Sequence, residues 1–134
     1  METNEEPMKN LMTDLTDLSL EIHEGNKARG FYDEERNVGE ILALIHSEVS
    51  EALEAHRSGK RCEWDISLAP EGWGDEEYTT RFEGTIKDTM EDELADVLIR
   101  VLDLCGYLGV DIDSHLYAKL RYNSTRPYKH GKKY

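Results

Sequence analysis

The sequence predicts a single all-α domain, an antiparallel four-helix bundle with a long insert between the second and third helices. Apolar residues recur every three or four positions in four stretches, which is the spacing of one helix face. Glycine, proline or capping residues stand between these stretches. Charged residues make up 34% of the 134 residues and apolar residues 38%, a balance that favours amphipathic helices over a covered sheet.

The first helix is predicted over residues 8–26, with Gly25 near its end. Its apolar stripe consists of Leu11, Leu15, Leu18 and Ile22. His23, taken by itself, is typical of a surface or capping histidine at a helix end. The connection that follows carries Phe31 and Tyr32, two adjacent aromatic residues that either plug the end of a bundle or stack on a base.

The second helix is predicted over residues 38–57. Asn37 with Glu40 three positions later resembles a capping box, in which the side chain of the first residue satisfies a free backbone N–H. Ser58 and Gly59 end the apolar pattern, as expected at a helix C-terminus.

The insert is predicted over residues 60–87 as an irregular segment, because glycines interrupt it and no helical periodicity is present. A short strand over residues 78–82 is an alternative within it. Trp64 and Trp73 stand out in this otherwise polar segment. They form either a lid over a ligand or a patch buried against a partner subunit.

The third and fourth helices follow the insert. Asp88 with Glu91 is predicted to open the third helix, and Gly106 and Gly109 to close it. The predicted core side of this helix carries Met90, Leu94, Val97, Leu98, Val101, Leu102 and Cys105. Asp111 is predicted to start the fourth helix, whose apolar residues are Ile112, Leu116 and Leu120.

The formal net charge of −13 argues against nucleic acid as a partner, because phosphate backbones require a basic surface. Residues 119–134 differ, since they contain lysines and arginines and no acid. Such a basic segment suits a phosphorylated ligand or a neighbouring acidic subunit.

Cys62 and Cys105 lack metal-type spacing and predict reduced thiols. Without a membrane-length apolar run or a signal-like N-terminus, we expect a cytoplasmic protein with no membrane partner.

Two acid-x-x-acid pairs carry the functional prediction. The first is Glu48-Val49-Ser50-Glu51 in the second helix, and the other is Glu93-Leu94-Ala95-Asp96 in the third. Residues three apart on a helix lie about 60° from one another, so each pair points two carboxylates in a similar direction. Both pairs lie in or beside the apolar stripe rather than on the solvated face.

Buried carboxylates are rare unless they are paired or coordinated, and four of them between two helices would repel one another. A divalent cation resolves this conflict. Because the ligands are hard oxygens and neither pair contains a histidine, the sequence predicts Mg²⁺, or Mn²⁺, rather than zinc. The alternative is that the acids flank the stripe and pair with Arg100 or other basic residues.

On these residues the chain resembles the MazG-like all-α nucleoside triphosphate pyrophosphohydrolases, and within them the relatives that act on dCTP or dUTP. The family pattern is E-E-x-x-E on one helix followed by E-x-x-D on another. Here it reads Ser47-Glu48-Val49-Ser50-Glu51 and then Glu93-Leu94-Ala95-Asp96. The likeness covers most of residues 18–57 and 88–134 and omits the insert.

The resemblance implies Mg²⁺-dependent cleavage of a nucleoside triphosphate between its α and β phosphates, as in nucleotide-pool housekeeping. It implies metal-binding and catalytic roles for Glu48, Glu51, Glu93 and Asp96. It further implies substrate-binding roles for His23 and Tyr32 at the base and for Lys119, Asn123 and Arg126 at the triphosphate. Relatives work as homodimers or homotetramers, so the same is expected here.

Two departures from the family pattern stand out. Ser47 occupies the position of the first acid, and the interval between the two acid pairs is longer because of the insert.

Two other functions are consistent with parts of the sequence. One is a non-catalytic helical interaction module whose acids only keep it soluble. The other is a di-iron carboxylate bundle, which requires Glu-x-x-His motifs that neither acid pair provides.

Overall fold

The structure is a computed structural model that describes residues 5–63 and 72–134, with side chains for residues 14–63 and 72–134. Every regular element in the described part of the chain is helical, which confirms the predicted all-α class. The α-helices are α1 (Glu5–Ala28), α2 (Val38–Arg57), α3 (Asp75–Thr85), α4 (Met90–Leu108) and α5 (Ile112–Ser124), followed by a 3₁₀ turn at Tyr128–Gly131. None of these helices combines the length and apolar composition needed to cross a bilayer.

The chain divides into two compact units. The first unit contains the chain up to Glu35 together with Leu102–Tyr134, and the second contains Arg36–Val101. The first unit therefore holds α1, α5 and the C-terminal end of α4. The second unit holds α2, α3 and the larger part of α4.

The end of α1 lies beyond the position predicted from Gly25. The helix continues to Ala28, and Gly30, with φ +89°, turns the chain. The N–H groups of Gly30 and Phe31 donate to the carbonyls of Lys27 and Asn26. This pattern is the glycine-terminated Schellman motif, which requires a residue that tolerates positive φ. Gly25 lacks that conformation and is an ordinary helical residue.

The bounds of α2 agree with the prediction. The Asn37 side chain accepts a hydrogen bond from the Glu40 N–H at 3.1 Å, as the capping pattern predicts. At the other end, Gly59 adopts φ +71° and the Lys60 N–H donates to the Ala55 carbonyl at 2.8 Å. Local sequence signals determine both ends of this helix.

The insert contains α3, so the prediction of an irregular segment over residues 60–87 was wrong, as was the alternative of a strand over residues 78–82. The helix buries none of its residues, and for that reason it leaves no apolar stripe in the sequence. Acidic residues in its first turn favour the helix dipole, and they are Asp75, Glu76 and Glu77. Trp73 is half-buried beneath Arg81, whereas Trp64 lies outside the described residues.

The start of α4 also differs from the prediction that Asp88 and Glu91 form its cap. The buried hydroxyl of Thr89 accepts a hydrogen bond from the Asp92 N–H at 3.3 Å, and the helix begins at Met90. Glu91 instead binds the guanidinium of Arg61 and the Cys62 N–H, which attaches the beginning of the insert to α4. These two hydrogen bonds hold the pKa of Glu91 at about 2.

Close helix contacts hold the first unit together. The Thr16 N–H on α1 donates to Asp113 on α5 at 2.9 Å. Gly106 on α4 faces α1 so closely that an added Cβ would lie 2.6 Å from both the Ser19 carbonyl oxygen and the His23 Cβ. Gly106 is thus a helix-packing residue, and Gly109, with φ +69°, is the residue that ends α4.

Candidate metal centre

Three of the four predicted acids form a tight cluster in the second unit. Carboxylate oxygens of Glu48, Glu51 and Glu93 all lie within 4.8 Å of one another. Glu48 and Glu93 are each only 7% exposed, while Glu51 is open to solvent. Asp96 lines the same cavity and lies outside this tight group.

The helical register of α2 explains why an acid is buried. Ile41, Ala52 and Ala55, which lie seven residues before and four and seven residues after Glu48, are all buried. These offsets place the four residues on one face of the helix, so the face that packs inward carries Glu48 with it. The sequence-based inference that the acids share the apolar stripe is therefore correct for Glu48.

The carboxylates of the cluster perturb one another electrostatically. Burial, followed by the negative charge of Glu51, raises the pKa of Glu93 to about 7. A hydrogen bond with Glu48 and the charge of Glu48 raise the pKa of Glu51. The pKa of Asp96 is raised as well, first by burial and then by the charge of Asp92. The protein thus holds these acids where their ionised forms are disfavoured.

Arg100 compensates one member of the cluster. Its Nε donates to the Glu48 Oε1 at 2.6 Å, the pairing that the sequence offered as an alternative to metal binding. No salt bridge to Glu51, Glu93 or Asp96 is found within the part of the chain that the structure describes. One guanidinium therefore faces several carboxylates, and the cluster retains an excess of negative charge.

A cavity of about 550 Å³ adjoins the cluster within the second unit. The predicted acids lie along it together with Tyr78, Thr79 and Phe82 from α3, and with Lys87. This volume lies in the range of small-molecule sites. The α3 residues were not among the predicted site residues, because a helix that buries nothing gives no sequence signal for its position.

A second acidic group overlaps the first. Carboxylate oxygens of Asp88, Asp92 and Glu93 also lie within 4.8 Å of one another. Asp88 was predicted to open a helix, and Asp92 was not among the predicted site residues. The four-residue spacing of Asp92 and Asp96 was a usable signal, since residues four apart share a helix face, whereas Asp88 precedes α4.

His23 and Tyr32 lie in the first unit and share an acid that sequence reasoning missed. The His23 Nδ1 donates to the Asp103 Oδ1 at 3.0 Å, and the Tyr32 hydroxyl donates to the Asp103 Oδ2 at 2.7 Å. The two rings meet edge to face with their centroids 4.5 Å apart, and Tyr107 packs beside both. His23 and Asp103 are buried, so His23 is not the surface residue that its position in the helix indicated.

The three predicted triphosphate ligands lie in the first unit, where Lys119 and Arg126 are near the Tyr122 ring and Asn123 follows Tyr122 in the chain. The Lys119 Nζ lies 5.1 Å and the Arg126 Cζ 5.6 Å from the centroid of the Tyr122 ring. The buried Asn123 Oδ1 has no hydrogen-bond partner in the part of the chain that the structure describes. This oxygen is an acceptor, as are phosphate oxygens, so only the amide nitrogen of Asn123 can serve a phosphate.

A comparison of the chain with protein-family models, curated proteins and solved structures found no match. The resemblance to the MazG-like enzymes therefore stays a prediction that rests on the acid pairs and their neighbouring residues.

The donor set of the cluster fits a hard divalent cation. All three close side chains are carboxylates, on two helices of one unit, and the exposed one, Glu51, lines the cavity. Mg²⁺, Mn²⁺ and Ca²⁺ all accept such oxygen ligands, whereas structural zinc sites are typically built from cysteine and histidine. The arrangement is suited to placing a cation beside a ligand that enters from the cavity.

Proposed function

We propose that the protein is a Mg²⁺-dependent hydrolase that cleaves a nucleoside triphosphate between the α and β phosphates, releasing the monophosphate and pyrophosphate. The observation that carries this proposal is the cluster of Glu48, Glu51 and Glu93, in which two acids are buried and the negative charge exceeds the positive charge of Arg100. The sequence resemblance names the reaction, and the cavity offers the space for the substrate.

The electrostatics of the cluster favour cation binding. A buried carboxylate costs free energy unless an opposite charge compensates it, and neighbouring carboxylates add to this cost. A divalent cation removes both penalties and, once bound, neutralises charge on the phosphate oxygens of a substrate. Mg²⁺ is our choice, with Mn²⁺ as an alternative, because the close ligands are all carboxylate oxygens.

The residues of the cluster are suited to different tasks. Glu48 is buried and fixed by Arg100, so we assign it a purely ligating role. Glu51 is exposed to solvent and lines the cavity, where it can accept a proton from an attacking water. Lys87 lines the same cavity and supplies a positive charge for phosphate oxygens.

The remaining parts of the proposal come from the resemblance. They are base contacts from His23 and Tyr32, triphosphate contacts from Lys119, Asn123 and Arg126, and assembly into homodimers or homotetramers. A cytoplasmic location is also part of the proposal, because the sequence contains only two cysteines, Cys62 and Cys105. The cation ligands that we propose are Glu48, Glu51, Glu93 and Asp96.

The test is pyrophosphate release from a panel of canonical and modified nucleoside triphosphates in the presence of Mg²⁺. Glu93→Gln is the informative variant, because it removes a buried charge and leaves the pair of Glu48 with Arg100 intact. Glu54→Gln is its matched control, since Glu54 is an exposed acid on α2 outside the cavity. Turnover in the wild type and in Glu54→Gln, lost in Glu93→Gln, supports the proposal, and the absence of turnover with every nucleotide refutes it.

One observation favours the second candidate, a non-catalytic interaction module. Leu42, Val49 and Leu53 on α2 are each about half exposed, at 47%, 52% and 51%. Their spacing places them in one stripe of the kind that packs against another helix. This stripe suits a partner protein and equally suits the expected homo-oligomer. An interaction module predicts no Mg²⁺ binding, so a Mg²⁺-dependent rise in melting temperature that Glu93→Gln abolishes would exclude it.

A further inference from the structure

We propose that Tyr78 and Phe82 of α3 form the surface on which the base of the nucleotide stacks. The inference rests on the proposed function and specifies how that site holds its substrate. It concerns the helix that the sequence did not reveal, and it assigns a role to an insert that lies outside the resemblance.

The first observation is the position of the Tyr78 and Phe82 rings. Tyr78 and Phe82 line the same cavity as Glu48, Glu51 and Glu93. Their centroids are 6.3 Å apart and their planes are inclined by 32°. Residues four apart share one face of a helix, so α3 presents both rings to the cavity side by side.

The second observation concerns the apolar residues of α3 and their exposure. The helix buries none of its residues, and Tyr78 and Phe82 are its only large apolar side chains. Tyr78 remains 48% exposed. An aromatic pair that packs a core is normally covered, because burial of apolar area is what makes such side chains stabilising. Here Tyr78 is about half exposed and Phe82 is partly buried, and both line a cavity, where an entering ligand can cover the area that remains exposed.

The third observation is that the acidic and the aromatic residues belong to different parts of the cavity wall. One part of its wall is acidic and suited to a cation with phosphate oxygens, and Lys87 adds a positive charge there. The α3 part of the wall contains the two rings together with Thr79 and one acid, Glu83. A nucleoside triphosphate has the same division, since a charged triphosphate is joined through a sugar to a flat base. The base therefore belongs against the rings when the phosphates are near the acids.

This arrangement has a consequence for specificity. Every base has a π-face, so stacking on an aromatic ring contributes affinity and discriminates only weakly between bases. Variants of Tyr78 and Phe82 should accordingly weaken all nucleotides in the panel to a similar degree. Choice between bases would then depend on hydrogen bonds, and these are the base contacts that the proposed function leaves to His23 and Tyr32.

The experiment compares nucleoside triphosphates with inorganic tripolyphosphate, which has the charged part and no base. KM for nucleotides is measured from pyrophosphate release, and tripolyphosphate is titrated as a competitive inhibitor. The variants are Tyr78→Leu and Phe82→Leu, which keep a good helix former in α3. Glu77→Gln is the matched control, because Glu77 is exposed on α3 and does not line the cavity.

Loss of a stacked base lowers affinity by a factor of about 5 to 150. We expect each leucine variant to raise KM for every nucleotide within this range and to leave the inhibition constant of tripolyphosphate unchanged. An equal loss for nucleotides and tripolyphosphate, or no loss for either, would overturn the inference while leaving the proposed function standing. A wild-type protein that hydrolyses no nucleotide would overturn both.

Circular dichroism and the Mg²⁺-dependent rise in melting temperature separate loss of stacking from loss of folding. Both should match the wild type in the leucine variants, because α3 buries none of its residues. If either variant loses the Mg²⁺-dependent rise, the rings support the acidic cluster rather than the base, and the inference is wrong.

Discussion

Two clusters of titratable residues, one in each unit, differ in how their charges are compensated. In the first unit, Asp103 receives hydrogen bonds from His23 and Tyr32, so each of its carboxylate oxygens has a donor. In the second unit, carboxylates approach one another within 4.8 Å, and the salt bridge found among them joins Glu48 to Arg100.

We propose that this difference separates a structural role for the first cluster from a ligand-binding role for the second. A buried acid with donors on both oxygens is satisfied within the fold and needs nothing further. An acid whose neighbours are other acids raises the free energy of the folded protein until a cation arrives. The pKa of Glu93, raised to about 7 by burial and by the neighbouring acids, is consistent with this unfavourable concentration of negative charge.

The largest expected effect is that of Glu93→Gln. If the cluster binds the catalytic cation, this change should lower the rate of pyrophosphate release about 100-fold or more, since a metal ion supplies several kcal/mol of transition-state stabilisation. The same change should raise the stability of the metal-free protein by about 1 kcal/mol, because it removes a buried charge among like charges. Activity assays and denaturant unfolding in EDTA measure the two effects. A Glu93→Gln protein that is less stable than the wild type without metal would contradict the account.

The next effect concerns the satisfied cluster. Asp103→Ala leaves the His23 ring nitrogen and the Tyr32 hydroxyl without their acceptor, which should lower the free energy of unfolding by about 2 kcal/mol. The Mg²⁺-dependent rise in melting temperature should stay the same, because the change does not touch the acidic cluster. Chemical unfolding measures the first quantity, with the exposed Asp17→Ala as control. Loss of the Mg²⁺ effect would show that the comparison between the clusters is misplaced.

Arg100→Gln sharpens the comparison by removing the compensating cation. The metal-free protein should lose about 1 kcal/mol of stability, a modest value because the Arg100 side chain is 39% exposed. The Mg²⁺-dependent rise in melting temperature should become larger, because the Glu48 carboxylate then lacks its positive partner and a bound cation relieves more repulsion. Thermal melts with and without Mg²⁺ test this, and a smaller rise than in the wild type would argue that Arg100 helps the site to bind the cation.

The smallest effect belongs to Asp111, a carboxylate of the first unit whose pKa is lowered rather than raised. Hydrogen bonds from the Ser114 hydroxyl and N–H cause this shift at the start of α5. A lowered pKa contributes stability that is present above the ordinary value of 3.8 and is lost as the pH falls through the folded value. Asp111→Ala should lower the melting temperature by about 3–5 °C at pH 7. The loss should be smaller below pH 3.8, where the carboxylate of the wild type becomes protonated. An equal loss at all pH values would mean that the ionised carboxylate is not responsible.

Sequence reasoning succeeded where local signals determine structure. The ends of α2 follow from Asn37 and Gly59, whose conformations depend on their immediate neighbours. The helical register of the two acid pairs predicted the approach of Glu48, Glu51 and Glu93, whereas Asp96, which was predicted with them, lies outside the tight group. It failed for α3, because a helix that buries no residue has no stripe to detect. It also missed Asp103, whose role depends on contact with His23, 80 residues earlier in the chain.

The most direct test of the central claim is isothermal titration of the metal-free protein with Mg²⁺, and with Mn²⁺ for comparison. The account predicts saturable binding to the wild type and to Glu54→Gln, and a large loss of affinity in Glu93→Gln. Equal affinity in all three proteins, or no binding to the wild type, would show that the acidic cluster is not a cation site.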